Sequence, residues 1–354
     1  MTPRAVALVE SPAQLLNVIE WGYAQAGNPD PESDFGSGVT IMILAPLQPV
    51  ARLQLERMSD LARGCGFTVE WREVRGESVP GVRGLRALAA RIGSVPTLII
   101  GDPFSGYLQF MISLSRARQL VVIDDGSATL EFADILAEGR PLRRWHQKAP
   151  ASRLGRSVAS MARQRMIIGP RPWNASNPLH LFTAMPVSHA GTSEVRRHTY
   201  EWTRSRFARP SVVDEADLIG TSLVESGVLE ESHYLRAVRA LARRYRISRY
   251  VAHRRESAAK LAKLSDLGLV VVRPDLPLEV FARIGPVGQR VISFPSTVVH
   301  TLPLALSDSP VEVLTCDLEQ GWFSPAHDIV RSGRFLSSVT STARDLHGLN
   351  TVAA

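Results

Sequence analysis

At 354 residues the chain exceeds the ~250 to 300 at which one hydrophobic core stops growing, and its 45% apolar and 21% charged residues exclude a disordered or collagen-like polypeptide, so two globular domains are expected. The net charge of +7 is almost wholly arginine, with lysine only at positions 148, 260 and 263, and the codon bias of a GC-rich genome is its plainest source. Cys65 and Cys316 lie in opposite halves without C-x-x-C or His/Cys spacing, which excludes a disulfide framework and a zinc finger and fits a reducing cytoplasm. In chain order, β-branched runs predict strands at Val6 to Glu10, Val39 to Ala45, Thr68 to Val74, Thr97 to Gly101 and Leu120 to Ile123. Helices of period 3.6 read from Pro12, Val50, Gly84 and Tyr107 between them. No apolar run approaches the ~18 to 20 residues that cross a bilayer, and the first strand pattern carries a glutamate and no small-residue cleavage site, so a cytoplasmic chain is expected.

A second series follows the Pro- and Arg-rich region ending near Pro210. Strands are predicted at Arg249 to Ala252, Leu269 to Arg273, Arg290 to Phe294 and Val311 to Thr315, with helices over residues 230–245, 257–266 and 324–335. Strand-helix alternation of this kind builds parallel sheets. The expected organisation is α/β, with a Rossmann-like domain over residues 1–185, a linker over 186–215 and a second Rossmann-like domain over 216–354. Two such doubly wound domains facing one another across a cleft make the GT-B layout, which serves glycosyltransferases, sugar epimerases and other enzymes. One basic stretch stands out, because Arg140, Arg143, Arg144, Lys148, Arg153, Arg156, Arg163, Arg165 and Arg171 are met without an acidic residue among them. It reads as a basic surface, helical around residues 151–164, suited to an acidic glycan or to the anionic inner face of a membrane.

Ligands of open α/β sheets sit beyond the carboxyl ends of the strands, which directs attention to four places. After the first strand, Ser11 can cap a helix that starts at Pro12, and Gln14 completes a capping box; the same helix start, with Asn17, can also meet a sugar or its carboxylate. The fifth strand runs into Asp124, Asp125, Gly126 and Ser127. Adjacent carboxylates repel, and with partial burial one is raised toward a useful general base; Asp124 directly follows the apolar strand and is the preferred member, while Asp125 or Ser127 can instead cap the helix that follows. Another strand end carries His253, Arg254 and Arg255 before a helix, a setting that favours an anion. The last presents Ser296 and Thr297 at a helix start, where hydroxyls and unsatisfied N–H groups converge on a phosphate or simply cap the helix. Glu279, between these two, reads alone as a first-turn carboxylate facing a helix dipole.

Together these residues resemble the bacterial sialyltransferases and polysialyltransferases of GT-B fold. That family carries an acidic-acidic-Gly motif, matched by Asp124, Asp125 and Gly126; a His-Pro motif, matched at His253; a glutamate that holds the cytidine nucleoside, matched by Glu279; and a Ser-Ser or Ser-Thr pair, matched by Ser296 and Thr297. The Ser11-Pro12-x-Gln14 opening is also similar to the family's start. Arg254 replaces the proline after the histidine. The resemblance implies an inverting transferase, serving cell-surface polysaccharide biosynthesis, that moves sialic acid or a related nonulosonic acid from a CMP-activated donor to a hydroxyl of a glycan or lipid-linked acceptor. No cofactor or metal is expected, since Asp124-Asp125 is not D-x-D and the single phosphate of CMP can be neutralised by side chains. The rival readings are a nucleotide-sugar epimerase or hydrolase on the same scaffold, and a non-enzymatic basic protein that binds acidic polymers. Nucleic-acid binding is not expected, because aromatics are only 6% of residues and are not interleaved with basic ones.

Overall fold

The computed structural model describes residues 3–74, 82–93, 95–144, 153–168, 179–187, 190–191, 193–325 and 329–354. The chain divides into two compact units, Met1–Trp202 and Thr203–Ala354.

The first unit holds a seven-stranded parallel sheet of β1 (Ala5–Val9), β2 (Val39–Leu44), β3 (Thr68–Arg72), β4 (Thr97–Ile100), β5 (Gln119–Ile123), β6 (His180–Thr183) and β7 (Glu194–Arg197), in the order β3-β2-β1-β4-β5-β6-β7. Its central strands β1 and β2 are buried along their whole length, as expected where helices cover both faces of a parallel sheet. The helices are α1 (Pro12–Gln25), α2 (Pro49–Gly64), α3 (Val82–Gly93), α4 (Gly106–Leu114), α5 (Ser127–Glu138) and α6 (Arg153–Ile168). Leu8, Leu98, Ile100, Leu108, Val122 and Phe132 pack in one core between the sheet and these helices.

The second unit repeats the plan with six strands, β8 (Val212–Ile219), β9 (Ile247–Val251), β10 (Val270–Val272), β11 (Val287–Ser293), β12 (Glu312–Cys316) and β13 (Asn350–Val352), in the order β10-β9-β8-β11-β12-β13. Its helices include α8 (Glu231–Tyr245), α9 (Ala258–Asp266), α10 (Leu278–Ile284), α11 (Val298–Ala305) and α12 (Ile329–His347). Tyr234, Val238, Leu241, Tyr250 and Phe294 form the centre of one core, and Val251, Val291 and Leu302 belong to another. All registered pairings in both sheets are parallel, and each sheet reverses direction of growth at its first strand, between β1 and β4 and between β8 and β11.

The stretch expected as a linker, 186–215, includes regular structure among its described residues. It contains β7, which pairs with β6, the short helix α7 (Glu201–Arg206) and the start of β8. β7 reads Glu-Val-Arg-Arg with no inward apolar alternation because it is a half-exposed sheet edge, so period-2 patterning could not reveal it. β6, β8 and β13 likewise lie outside the strands that the sequence pattern predicts, and the last helix is longer and later than 324–335. The basic segment is a helix over residues 153–168, while Lys148 and Arg171 lie outside the described residues.

Candidate functional site

In the first unit the side chains that follow β1, β4 and β5 converge at the carboxyl edge of the sheet. Ser11 caps α1 by accepting the Gln14 N–H at 3.3 Å, which is one half of the expected capping box; the other half is replaced, because the Gln14 side chain reaches past Ser11 to Glu10. Gln14 then uses both ends of its amide: Oε1 accepts the Glu10 N–H at 2.7 Å and Nε2 donates to Asp125 Oδ1 at 2.8 Å. A Cβ on Gly101, just past β4, would lie 2.2 Å from Gln14 Oε1, so only glycine lets this amide cross the strand end. One turn later Asn17 Nδ2 donates to the Asp124 carbonyl at 3.1 Å. The three residues read as sugar ligands are buried; Gln14 and Asn17 tie α1 to the Asp124-Asp125 turn, and Ser11 caps that helix.

The two aspartates differ sharply. Asp124 is 1% exposed; Oδ1 accepts the Thr129 hydroxyl at 2.6 Å and Oδ2 the Ala184 N–H at 2.9 Å. Burial pushes its carboxyl up to about 6, aided by the charge of Asp125 and opposed by the bonds from Thr129, Ala184 and Thr183. The Asp125 side chain is 19% exposed, with Oδ1 on Gln14 and Oδ2 taking Arg144 Nη2 at 2.9 Å. Arg144 also pairs with Asp102 at 2.9 Å. The turn closes on Gly126, at φ +70°, and α5 begins at Ser127 without a side-chain cap; Thr129 Oγ1 instead accepts the Asp125 N–H at 3.0 Å.

The basic run is therefore partly consumed inside the fold. Arg144 serves Asp102 and Asp125 and Arg165 donates to the carbonyls of Ser115 and Ala117, while Arg140 pairs with Glu138 at the surface. Arg153 and Arg156 of α6 are exposed.

In the second unit β9 delivers His253, half-buried, into the turn before α9. Its Nδ1 accepts the Arg255 N–H at 3.2 Å, which places the ring proton on Nε2. Burial, reinforced by Arg254, Arg255 and Lys260, pushes the imidazole down to about 3, so it is neutral near pH 7. The turn is pinned from below by Glu256, 4% exposed. Glu256 Oε2 accepts the His253 N–H at 2.6 Å, and Oε1 takes the Tyr250 hydroxyl at 2.5 Å and Lys260 Nζ at 2.8 Å. Lys260, 1% exposed, also donates to the Thr221 carbonyl and to Glu225, both at 3.0 Å.

Glu279 is buried in the first turn of α10 and accepts the Thr301 hydroxyl of α11 at 2.6 Å, while the charge of Arg254 reaches its carboxyl. Burial pushes that carboxyl up, against Thr301 and Arg254. Ser296 and Thr297, half-buried, stand immediately before α11; the Ser296 and Ser293 hydroxyls are 3.2 Å apart. The His253 turn and the start of α11 follow β9 and β11 at the carboxyl edge of the second sheet, and Glu279 lies between them in contact, bonded to Thr301 of α11 and reached by the charge of Arg254. Sequence patterning named these places but missed Glu256 and Lys260, as it missed Thr129 and the role of Arg144. Among the described residues, one group of His, Cys, Asp or Glu has the spacing of cation ligands, namely Glu20, His198 and Glu201.

No protein-family model matches the chain, and no curated protein sequence is detectably similar. Among solved structures it is similar to an α/β-galactoside α-2,3-sialyltransferase of Photobacterium phosphoreum, with a TM-score of 0.53, 12% identity, and 98% of this chain and 97% of that one covered. It is also similar to a protein described as a UDP-N-acetylglucosamine 2-epimerase of Listeria monocytogenes, with a TM-score of 0.50, 10% identity, and 98% and 89% covered. The fold is GT-B. No helix among the described residues is long and apolar enough to cross a membrane.

Proposed function

We propose that the chain is an inverting glycosyltransferase that moves sialic acid or a related nonulosonic acid from a CMP-activated donor to a hydroxyl of a glycan or lipid-linked acceptor. One observation carries this reading. The His253 turn, Glu279 and the Ser296-Thr297 helix start, spread over more than forty residues, lie at one edge of one sheet, where Glu279 is bonded to α11 and reached by the charge of Arg254, and they offer donors suited to a single phosphate and a carboxylate suited to a nucleoside.

In this reading the acceptor oxygen attacks the anomeric carbon as a carboxylate takes its proton, and the bond from that carbon to the CMP phosphate breaks. The developing phosphate charge meets His253 Nε2–H, the hydroxyls of Ser296 and Thr297, and the first N–H groups of α11. Arg254, in place of the family's proline, adds a full positive charge beside them, and Glu279 holds the nucleoside. The sequence favours Asp124 as base, but a carboxylate 1% exposed has no open face to present to an acceptor, whereas the Asp125 side chain, also hydrogen-bonded at both oxygens, is 19% exposed. We assign the proton to Asp125, the more open member, and give Asp124 the task of holding the turn. The Asp125 carboxylate is oriented by Gln14 and Arg144. The exposed Arg153 and Arg156 would face an anionic acceptor or membrane surface.

Calorimetric and thermal-shift titration with CMP, UMP, UDP and GDP tests the donor. A ligand at 100 times its dissociation constant adds about 2.7 kcal/mol of stability. CMP should stabilise most; stabilisation by UDP with none from CMP would replace this reading with that of an epimerase.

A further inference from the structure

We propose that Glu20, His198 and Glu201 form a binding site for a divalent transition-metal cation, with zinc the best match to one imidazole and two carboxylates. The site is separate from the residues given to glycosyl transfer and does not rest on that reading; it departs from the expectation that the chain binds no metal.

The three side chains come from α1, from the residue that follows β7 and from the start of α7, and one ligand atom of each lies within 4.8 Å of the others. A tetrahedral zinc with bonds of 2.0 to 2.2 Å sets its ligands about 3.4 Å apart, so side-chain adjustments of about 1 Å close the set. His198 supplies the independent signal. It is 2% exposed, and neither Nδ1 nor Nε2 has a hydrogen-bond partner. Buried polar atoms are nearly always paired, and an imidazole with no protein partner beside two carboxylates has a nitrogen to offer a cation. Its orientation is fixed by stacking on Phe182, with centroids 4.6 Å apart and planes at 4°, and by the edge contact with Tyr200 at 5.0 Å.

The carboxylates are pre-oriented. Glu20 Oε2 accepts the Trp202 N–H at 2.9 Å, and Glu201 accepts the Thr199 N–H at 2.9 Å and its hydroxyl at 2.8 Å. Two carboxylates balance a 2+ ion, and the absence of sulfur in the set selects against softer metals.

The position gives the ion a structural task. Glu20 lies one turn beyond Asn17, which holds the Asp124 carbonyl. His198 N–H donates to the Thr183 carbonyl at 3.1 Å, and the next residue, Ala184, donates to Asp124. A cation would clamp both supports of the aspartate turn from behind.

Untagged full-length protein, stripped with chelator and dialysed against zinc, should retain one zinc per chain by mass spectrometry and melt several degrees higher than the stripped form; magnesium should do neither. His198→Phe keeps the stack and removes both nitrogens, so it should fold, match the stripped wild type in melting temperature and lose the zinc response. Glu201→Gln should weaken zinc binding at least tenfold. Cobalt should give tetrahedral visible bands in the wild type that vanish in His198→Phe. Folded wild type that retains no zinc, or retention unchanged in His198→Phe, would overturn the assignment.

Discussion

Gln14 and Asp125 are joined by a 2.8 Å hydrogen bond from Nε2 to Oδ1, so the helix start after β1 sets the orientation of the carboxylate after β5. The two turns are neighbours because β4 alone separates β1 from β5, and Gly101 at the end of β4 leaves room for the amide between them. Gln14→Leu should remove both the Glu10 and Asp125 bonds while keeping the volume. We expect a loss of about 1 to 3 kcal/mol in chemical denaturation and a fall in turnover without loss of nucleotide affinity.

The aspartates should fail differently. Asp125→Asn should lower turnover by roughly 10² to 10⁴ with CMP binding intact, and Asp124→Asn should lower it by less than about tenfold. Donor-consumption assays beside CMP calorimetry read both, and the reverse ranking would return the base to Asp124.

Asp124 also sets a pH dependence of stability. Its carboxyl titrates near 6 in the fold against an ordinary 3.8, so between these values the folded state binds more protons than the unfolded one. This contribution is present below about pH 3.8 and is lost as pH rises through 6, costing about 3 kcal/mol at neutral pH. Melting curves from pH 4 to 7, taken as wild type minus Asp124→Asn, should therefore slope downward; a flat difference would show an ordinary carboxylate.

His253 runs in the opposite direction. Its imidazole titrates near 3 in the fold against 6.5 unfolded, so its contribution is full above about pH 6.5 and is lost as pH falls toward 3. The His253→Gln variant should lose less stability than wild type between pH 6.5 and 4.5. At pH 7 it should bind CMP more weakly by about 1 to 3 kcal/mol, since a hydrogen bond to a charged phosphate is lost.

The Glu256-Lys260 pair is the support of the His253 turn. Glu256→Gln leaves a cation 1% exposed with one carboxylate fewer and should cost about 3 to 5 kcal/mol. Adding Lys260→Met should restore much of the stability but not the CMP affinity. If affinity returns together with stability, Glu256 acts only on folding.

The sequence alone determined the parallel α/β architecture, because strand and helix periods alternate through both halves and the central strands are apolar along their length. It also placed Asp124, Asp125, His253, Ser296 and Thr297 at strand ends, since an apolar run followed by polar residues and a helix start is a local pattern. Edge strand β7 stayed hidden, because a half-exposed strand needs no apolar alternation. Tertiary structure alone decided which aspartate is open, because burial of Asp124 depends on Asn17, Thr129 and Ala184, which come from three separate elements. It likewise decided that Ser11, Gln14 and Asn17 hold a turn, that Arg144 belongs to Asp125 rather than to a basic surface, and that Glu20 meets His198. These pairings are fixed by the order of strands across the sheet, which no short stretch of sequence encodes.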